Sequence, residues 1–151
     1  MGVWVRIPPR LLQKTENRGQ RTEDREKTVI KSVKDLKVYQ MAYQLAMDIF
    51  EITKKFPKEE TYSLTDQMRR SSRSVVINIR EGFAKRKYEQ VFIRYLNDSL
   101  GSSQETRGWL DFAKDCMYIT KDKHNKLDDG YDEVNAMLYR LMKNWQNYSD
   151  I

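Results

Sequence analysis

From Asp35 onward the apolar residues recur at steps of three and four, and the pattern breaks in only three places. That period belongs to the α-helix, whose turn of about 3.6 residues returns every third or fourth side chain to one face. The strict alternation of a half-buried strand is found nowhere in the sequence. The breaks fall at Phe56-Pro57-Lys58, around Gly82 to Lys87 and around Tyr118 to Asp122, predicting helices near 35–55, 63–82, 88–117 and 122–147. Pro57 lacks the N–H that a helix interior needs, so the first helix must end near it. Ser63, three residues ahead of Asp66, is placed to cap the second helix, and Thr120 to cap the fourth. Connections this short make successive helices antiparallel neighbours. The predicted fold is all-α, an up-down-up-down antiparallel four-helix bundle.

The helices differ in how much apolar surface they carry. In the fourth, Leu127, Tyr131, Val134, Leu138, Leu141, Trp145 and Tyr148 make one bundle-facing stripe. The first helix carries two stripes. Leu36, Tyr39, Tyr43, Ala46 and Phe50 form one, and Val38, Met41, Leu45, Ile49 and Ile52 form the other. A bundle core needs one of them, and a four-helix monomer has no central helix. Either this helix sits unusually deep in a monomer, or the stripe from Val38 to Ile52 meets another copy, and self-association is the expectation. In the third helix the side chains thin to Ser99, Gly101, Ser102, Ser103 and Thr106. Residues that small permit close backbone approach, here to Ser71 and Ser72 of the second helix.

The chain has 151 residues, a length for one domain with a tail. Its one Cys and one His exclude a disulfide framework and leave no set for a zinc site or a Cys/His nucleophile pair. No apolar run approaches the ~18 residues of a membrane span. A reducing, cytoplasmic compartment and no membrane partner are expected. Residues 1–34 stand apart: they hold Pro8-Pro9, lack helical apolar spacing and are crowded with charge. They are expected to be a disordered basic tail ahead of a bundle domain at 35–151. Val5-Arg6-Ile7-Pro8 is what the T-arm of a transfer RNA gene encodes when read through, so the tail reads as a start placed too far upstream, with a genuine basic arm as the alternative. Genomic DNA without a T-arm over those codons would exclude the first.

The excess of 28 Lys and Arg over 22 Asp and Glu gives a net charge of +6. The tail holds +5 of it, with nine basic and four acidic residues, and the domain only +1. Within the domain the charge is uneven. Between Gln67 and Arg94 stand eight basic residues, Arg69, Arg70, Arg73, Arg80, Lys85, Arg86, Lys87 and Arg94, against Glu81 and Glu89. Arg69, Arg73 and Arg80 are spaced by four and seven, on one helix face away from the core stripe of Leu64, Met68, Val75 and Ile79. Such a row suits a phosphate backbone. It is equally what a solvated helix face carries, or arginines paired with acids of the third helix or a neighbouring subunit. Three arginines on one face repel without a partner, which favours nucleic acid, recognised by shape or backbone and not by base sequence.

Leu64-Thr65-Asp66-Gln67-Met68-Arg69-Arg70, then Ser74-Val75, Asn78-Ile79 and Glu81-Gly82, resembles the signature of the four-helix bundle proteins encoded by 23S ribosomal RNA intervening sequences. Phe56-Pro57 with Glu59-Glu60, and Gly101-Ser102 with Glu105, sit at that family's next best-marked positions. The resemblance covers about Asp35 to Trp145 and none of the tail. It extends to the accessory variability determinants of diversity-generating retroelements, which partner a reverse transcriptase and its RNA. The resemblance implies a ring, commonly a pentamer, with a basic surface toward nucleic acid and no enzymatic activity. Arg69 and Arg70 match the motif's paired arginines, and Asn78, Glu81 and Gly82 its helix-ending element. Val76 stands where a proline is usual, Arg80 where an alanine is usual, and Arg73 replaces an apolar residue.

Gln67, Arg70, Asn78 and Glu81 are expected to form a hydrogen-bonded network fixing helix packing. His124 is expected to be exposed, and Glu59-Glu60 and Asp128-Asp129 solvated, leaving no tuned acid–base pair. The sequence therefore predicts a non-enzymatic homo-oligomer without cofactor or metal. It binds nucleic acid, RNA foremost, through the eight basic residues; the alternative is an accessory scaffold for a reverse transcriptase or other protein.

Overall fold

Four helices, α1 (Lys37–Thr53), α2 (Leu64–Ala84), α3 (Glu89–Asp115) and α4 (Lys121–Asn144), follow one another in the computed structural model, which describes residues 30–145. No strand occurs among these residues. α1 packs on α2 and α4, and α3 packs on the same two, so the helices form an antiparallel four-membered bundle.

The helix ends follow from local chemistry. α1 stops at Thr53, four residues before Pro57, and the chain turns through a 3-10 segment at Lys58–Glu60. Ser63 occupies the N-cap of α2, as its position predicts, yet its hydroxyl makes no cap bond. It donates instead to Glu60 Oε1 at 2.6 Å, and the same carboxylate oxygen accepts the Leu64 N–H at 3.3 Å. An acid three residues upstream thus supplies the cap, because a carboxylate is the stronger acceptor for N–H groups at the positive end of the helix dipole. Thr120 does cap α4, accepting from Lys123 N at 3.1 Å. α3 closes with Met117 at φ 65°, Met117 N bonded to Lys114 O and Tyr118 N to Ala113 O, each at 2.9 Å. That is the Schellman pattern, built without its usual glycine. α2 runs without interruption through Val76 and past Gly82.

The core is lined by fully buried Ile49, Met68, Ile79, Phe92, Leu96, Leu110, Tyr131 and Leu138. Phe92 meets Trp145 edge-on with ring centroids 4.6 Å apart, and Phe83 meets Phe92 likewise at 6.4 Å. α2 and α3 approach closely through the small residues the sequence singled out. Thr106 Oγ1 donates to Ser71 Oγ at 2.8 Å, Ser99 Oγ to Val75 O at 2.7 Å, and the Ser74 and Ser102 hydroxyls lie 2.8 Å apart. Gly101 is not part of this seam, since a side chain there would meet open space.

Two expectations about α1 and its approach are corrected. Val38, Leu45 and Ile49 are buried within the chain itself, and Met41 and Ile52 pack partly buried against the same core. This stripe is therefore not a free face for a second copy. A helix in a four-membered ring has two neighbours, and each stripe of α1 serves one. Tyr39 and Phe50 lie toward the arginines of α2, while the Leu45 side chain fills the space over Gly130 of α4. The folded domain also begins before Asp35. Ile30 and Val33 are buried, and Ser32 N donates to Asp35 Oδ2 at 2.9 Å ahead of a 3-10 turn at Val33–Asp35. The expectations for residues 1–29, and for Tyr148 and the end of the fourth helix near 147, lie outside the described residues. No helix among those described is long and apolar enough to cross a membrane.

Candidate nucleic-acid interface

Antiparallel pairing sets α1 beside the arginine face of α2, so residues near the end of one helix meet residues near the start of the other. Arg69 Nε donates to Thr53 Oγ1 at 2.9 Å, and its guanidinium lies 4.7 Å from the Phe50 ring centroid. Arg73, one turn on, lies 5.9 Å from the same ring. Arg80 Nη1 donates to the Tyr39 hydroxyl at 3.0 Å. From Arg69 to Arg80 the helix rises about 16 Å, the axial span of roughly five nucleotides at 3.4 Å each. Exposed Ile77 stands between the latter two arginines, and Tyr43 and Met47 of α1 are exposed alongside.

A second cationic group surrounds the α2–α3 turn. Lys85 Nζ donates to the Tyr95 hydroxyl at 3.0 Å, and Arg94 lies over the same ring at 5.8 Å. Arg86 donates to Phe83 O at 3.0 Å with its guanidinium 4.0 Å from the Phe83 ring, and Lys87 lies 5.8 Å from the Tyr88 ring. Every one of the eight basic residues except Arg70 rests on an aromatic ring, and none of those seven has a carboxylate partner among the described residues. Rings hold the cations in place through cation–π contact, each worth about 0.5–1 kcal/mol at exposed positions, without cancelling their charge.

Arg70 behaves differently. It forms an ion pair with Glu105 of α3 and takes Gln67 Oε1 at 2.9 Å, and Glu105 also accepts from Trp109 Nε1 at 3.1 Å. Its side chain points to the α3 flank, since it stands about 100° around the helix from Arg69. Of the expected polar network, Gln67 and Arg70 are joined to each other. Among the described residues Asn78 bonds only within its own helix, to Ser74 O at 2.9 Å and Ser74 Oγ at 3.1 Å, and Glu81 is exposed.

Away from the basic face the paired charges are balanced. Arg107 bridges α3 to α4, donating to Asp128 at 2.8 and 3.1 Å and to Asp132 at 3.4 Å. The Arg107 hydrogen bond holds the Asp128 carboxyl below its ordinary value, and Asp128 in turn raises Arg107. His124, expected to be exposed, is buried, with Nε2 at 2.7 Å from Asp111 Oδ1. It is buried because its position on α4, three residues before Leu127, falls on the core side of the helix. Glu60 holds its carboxyl below the usual range by accepting from the Ser63 hydroxyl, the Tyr118 hydroxyl and the Leu64 N–H. No group of three or more His, Cys, Asp or Glu residues that could hold a metal occurs among the described residues.

The sequence located the cations and missed the rings that hold them. Tyr39 and Tyr43 at one-turn spacing, with Phe50 on the same stripe, were the available signal. Which stripe of α1 faced α2 depended on how the helices pair.

The sequence model of the 23S rRNA-intervening sequence protein family matches residues 34–140. A crystal structure of a protein of unknown function from the S23 ribosomal protein family, from Bacteroides thetaiotaomicron, superposes with a TM-score of 0.64 at 27% identity, over 70% of this chain and 95% of that one. Comparison with curated proteins gives no match.

Proposed function

The chain belongs to the family of 23S rRNA-intervening sequence proteins, and we propose that it is a non-enzymatic nucleic-acid-binding bundle whose ligand is structured RNA. The binding surface is the α1–α2 face with Arg69, Arg73 and Arg80, continued by Lys85, Arg86, Lys87 and Arg94 at the turn. One observation carries the reading. Seven cations on this side are held on aromatic rings and carry no acid partner among the described residues, whereas Arg70, Arg107 and Arg140 elsewhere are each neutralised. Uncompensated cations in a row are poised to replace the counterions of a phosphate backbone. Each chain carries the whole face, so the reading does not depend on how many copies assemble.

The test is an anisotropy titration with a labelled RNA hairpin at low and moderate salt. Substituting Arg69, Arg73 and Arg80 together by Gln is expected to weaken binding at least tenfold. The charge-matched control, Lys121, Lys123 and Lys126 together to Gln at the start of α4, leaves binding within about twofold. Equal losses in the two variants would reduce the effect to net charge and refute an interface on the α1–α2 face.

A further inference from the structure

A depression of about 530 Å³ opens where α1 begins, lined by Lys34, Tyr39, Gln40, Tyr43 and Arg80. Its groups are of three kinds. Tyr43 supplies an aromatic face: the side chain is 53% exposed, and no cation lies over its ring among the described residues, in contrast to Tyr39, Phe50, Phe83, Tyr88 and Tyr95. Among the described residues its one aromatic neighbour is Tyr39, tilted at 38° with centroids 6.2 Å apart. Gln40 supplies an oriented amide, because its Nε2 donates to Lys34 O at 2.6 Å and so leaves Oε1 as an acceptor. Arg80 and Lys34 supply positive charge. Arg80 is fixed by the Tyr39 hydroxyl through one nitrogen and keeps its remaining donors.

A stacking face, an acceptor for a base edge and two cations for phosphate are the requirements of one unstacked nucleotide. A paired duplex cannot use them together, since its bases already stack on one another. We infer that this depression seats one unpaired nucleotide of the bound RNA, its base on Tyr43 and its phosphate between Arg80 and Lys34. The inference rests on the proposed function and narrows it: the RNA this face selects carries a bulge or loop at the place where it crosses the start of α1.

The experiment uses the full chain and two labelled RNAs with the same stem, one with a three-uridine bulge and one fully paired. The bulged RNA is expected to bind at least tenfold more tightly. Tyr43→Ala removes that advantage, a loss in the range of roughly ten- to a hundredfold that base–aromatic stacking supplies. Tyr43→Phe keeps it, because stacking needs the ring and not the hydroxyl. Both variants keep the thermal unfolding midpoint of the unsubstituted protein, which shows that they fold, and the quantity compared is the ratio of bulged to paired affinity within each variant. Equal binding of the two RNAs by the unsubstituted protein, or a preference that survives Tyr43→Ala, overturns the nucleotide seat while leaving backbone binding intact. Failure of both RNAs to bind at low salt overturns the proposed function and the seat with it.

Discussion

Gly82 is a packing residue and not a helix stop. α2 continues through it to Ala84, and a Cβ added there would lie 2.6 Å from Tyr95 Cβ and 3.1 Å from Phe92 Cδ1. The first of these atoms is fixed to the α3 backbone and has no room to yield. Gly82→Ala is expected to destabilise the protein by about 1–3 kcal/mol, the range for overpacking a close contact. Gly101 is the internal comparison, because it lies in the interior of α3 with nothing within 4 Å of an added Cβ. Gly101→Ala relieves the entropic cost of a mid-helix glycine and is expected to stabilise by about 1 kcal/mol. Urea denaturation of the two variants should move the midpoint in opposite directions. Stabilisation by both substitutions would mean that the α2–α3 seam has room for a Cβ at Gly82. Met117 is the reverse case, a residue with a Cβ held in the left-handed region where glycine is usual.

At the scale of elements, two features follow from how helices meet. The Val38–Ile52 stripe of α1 serves the core of a single chain. Ile49→Ala should therefore cost about 2–5 kcal/mol through the cavity it leaves. The difference from the unsubstituted protein should not change with protein concentration, as it would if Ile49 sat between copies. Thermal unfolding over a hundredfold concentration range checks this. The second feature is a latch joining the α1–α2 connection to the α3–α4 turn. Tyr118 donates to Glu60 Oε2 at 2.8 Å, and its ring packs on Phe56 with centroids 5.2 Å apart. The bond to Glu60 pushes the Tyr118 hydroxyl up to about 12, while Glu60 is held down. A lowered acid contributes stability above its ordinary range, near 4.5, that is lost as pH falls through the lowered value. A raised phenol contributes stability below about 10 that is lost as pH rises through about 12. Glu60→Gln is expected to flatten the loss of stability below pH ~5 and return Tyr118 toward the ordinary tyrosine range, read by ultraviolet difference titration against Tyr118→Phe. Parallel acid profiles in the two proteins would show that Glu60 does not carry the effect.

For the whole molecule, net charge is a poor guide and its placement a good one. Of the overall +6, +5 belongs to residues 1–34, and the eight basic residues from Arg69 to Arg94 are nearly balanced by acids elsewhere in the domain. Folding sorts these charges. Arg70 and Arg107 are drawn into pairs with Glu105, Asp128 and Asp132, while the α1–α2 face and the adjoining turn keep theirs. The proposed phosphate-backbone contact has a defined salt signature. Removing Arg69, Arg73 and Arg80 should lower the slope of log affinity against log salt by about 2 to 3, close to one unit per lost phosphate contact. An unchanged slope with weaker binding would mean that these arginines act through packing on Phe50 and Tyr39.

The sequence by itself determined that the chain is four antiparallel helices, because helical periodicity, Pro57 and the short connections are local properties read one turn at a time. It also determined where the cations lie along α2 and that Ser71, Ser99 and Thr106 let α2 and α3 approach. Only the tertiary structure decided which face each residue serves. α1 carries two apolar stripes, and the sequence alone does not say whether the second meets a neighbour within the bundle or another copy. The pairing of α1 with both α2 and α4 settles that, since each helix in the ring must cover two flanks. The same pairing sets Tyr39 and Phe50 beside Arg80 and Arg69, forty-one and nineteen positions apart. It also brings Glu60 to Tyr118 across fifty-eight positions. Local periodicity carries no information over such separations, and the groups of the candidate site become a surface only when the helices close.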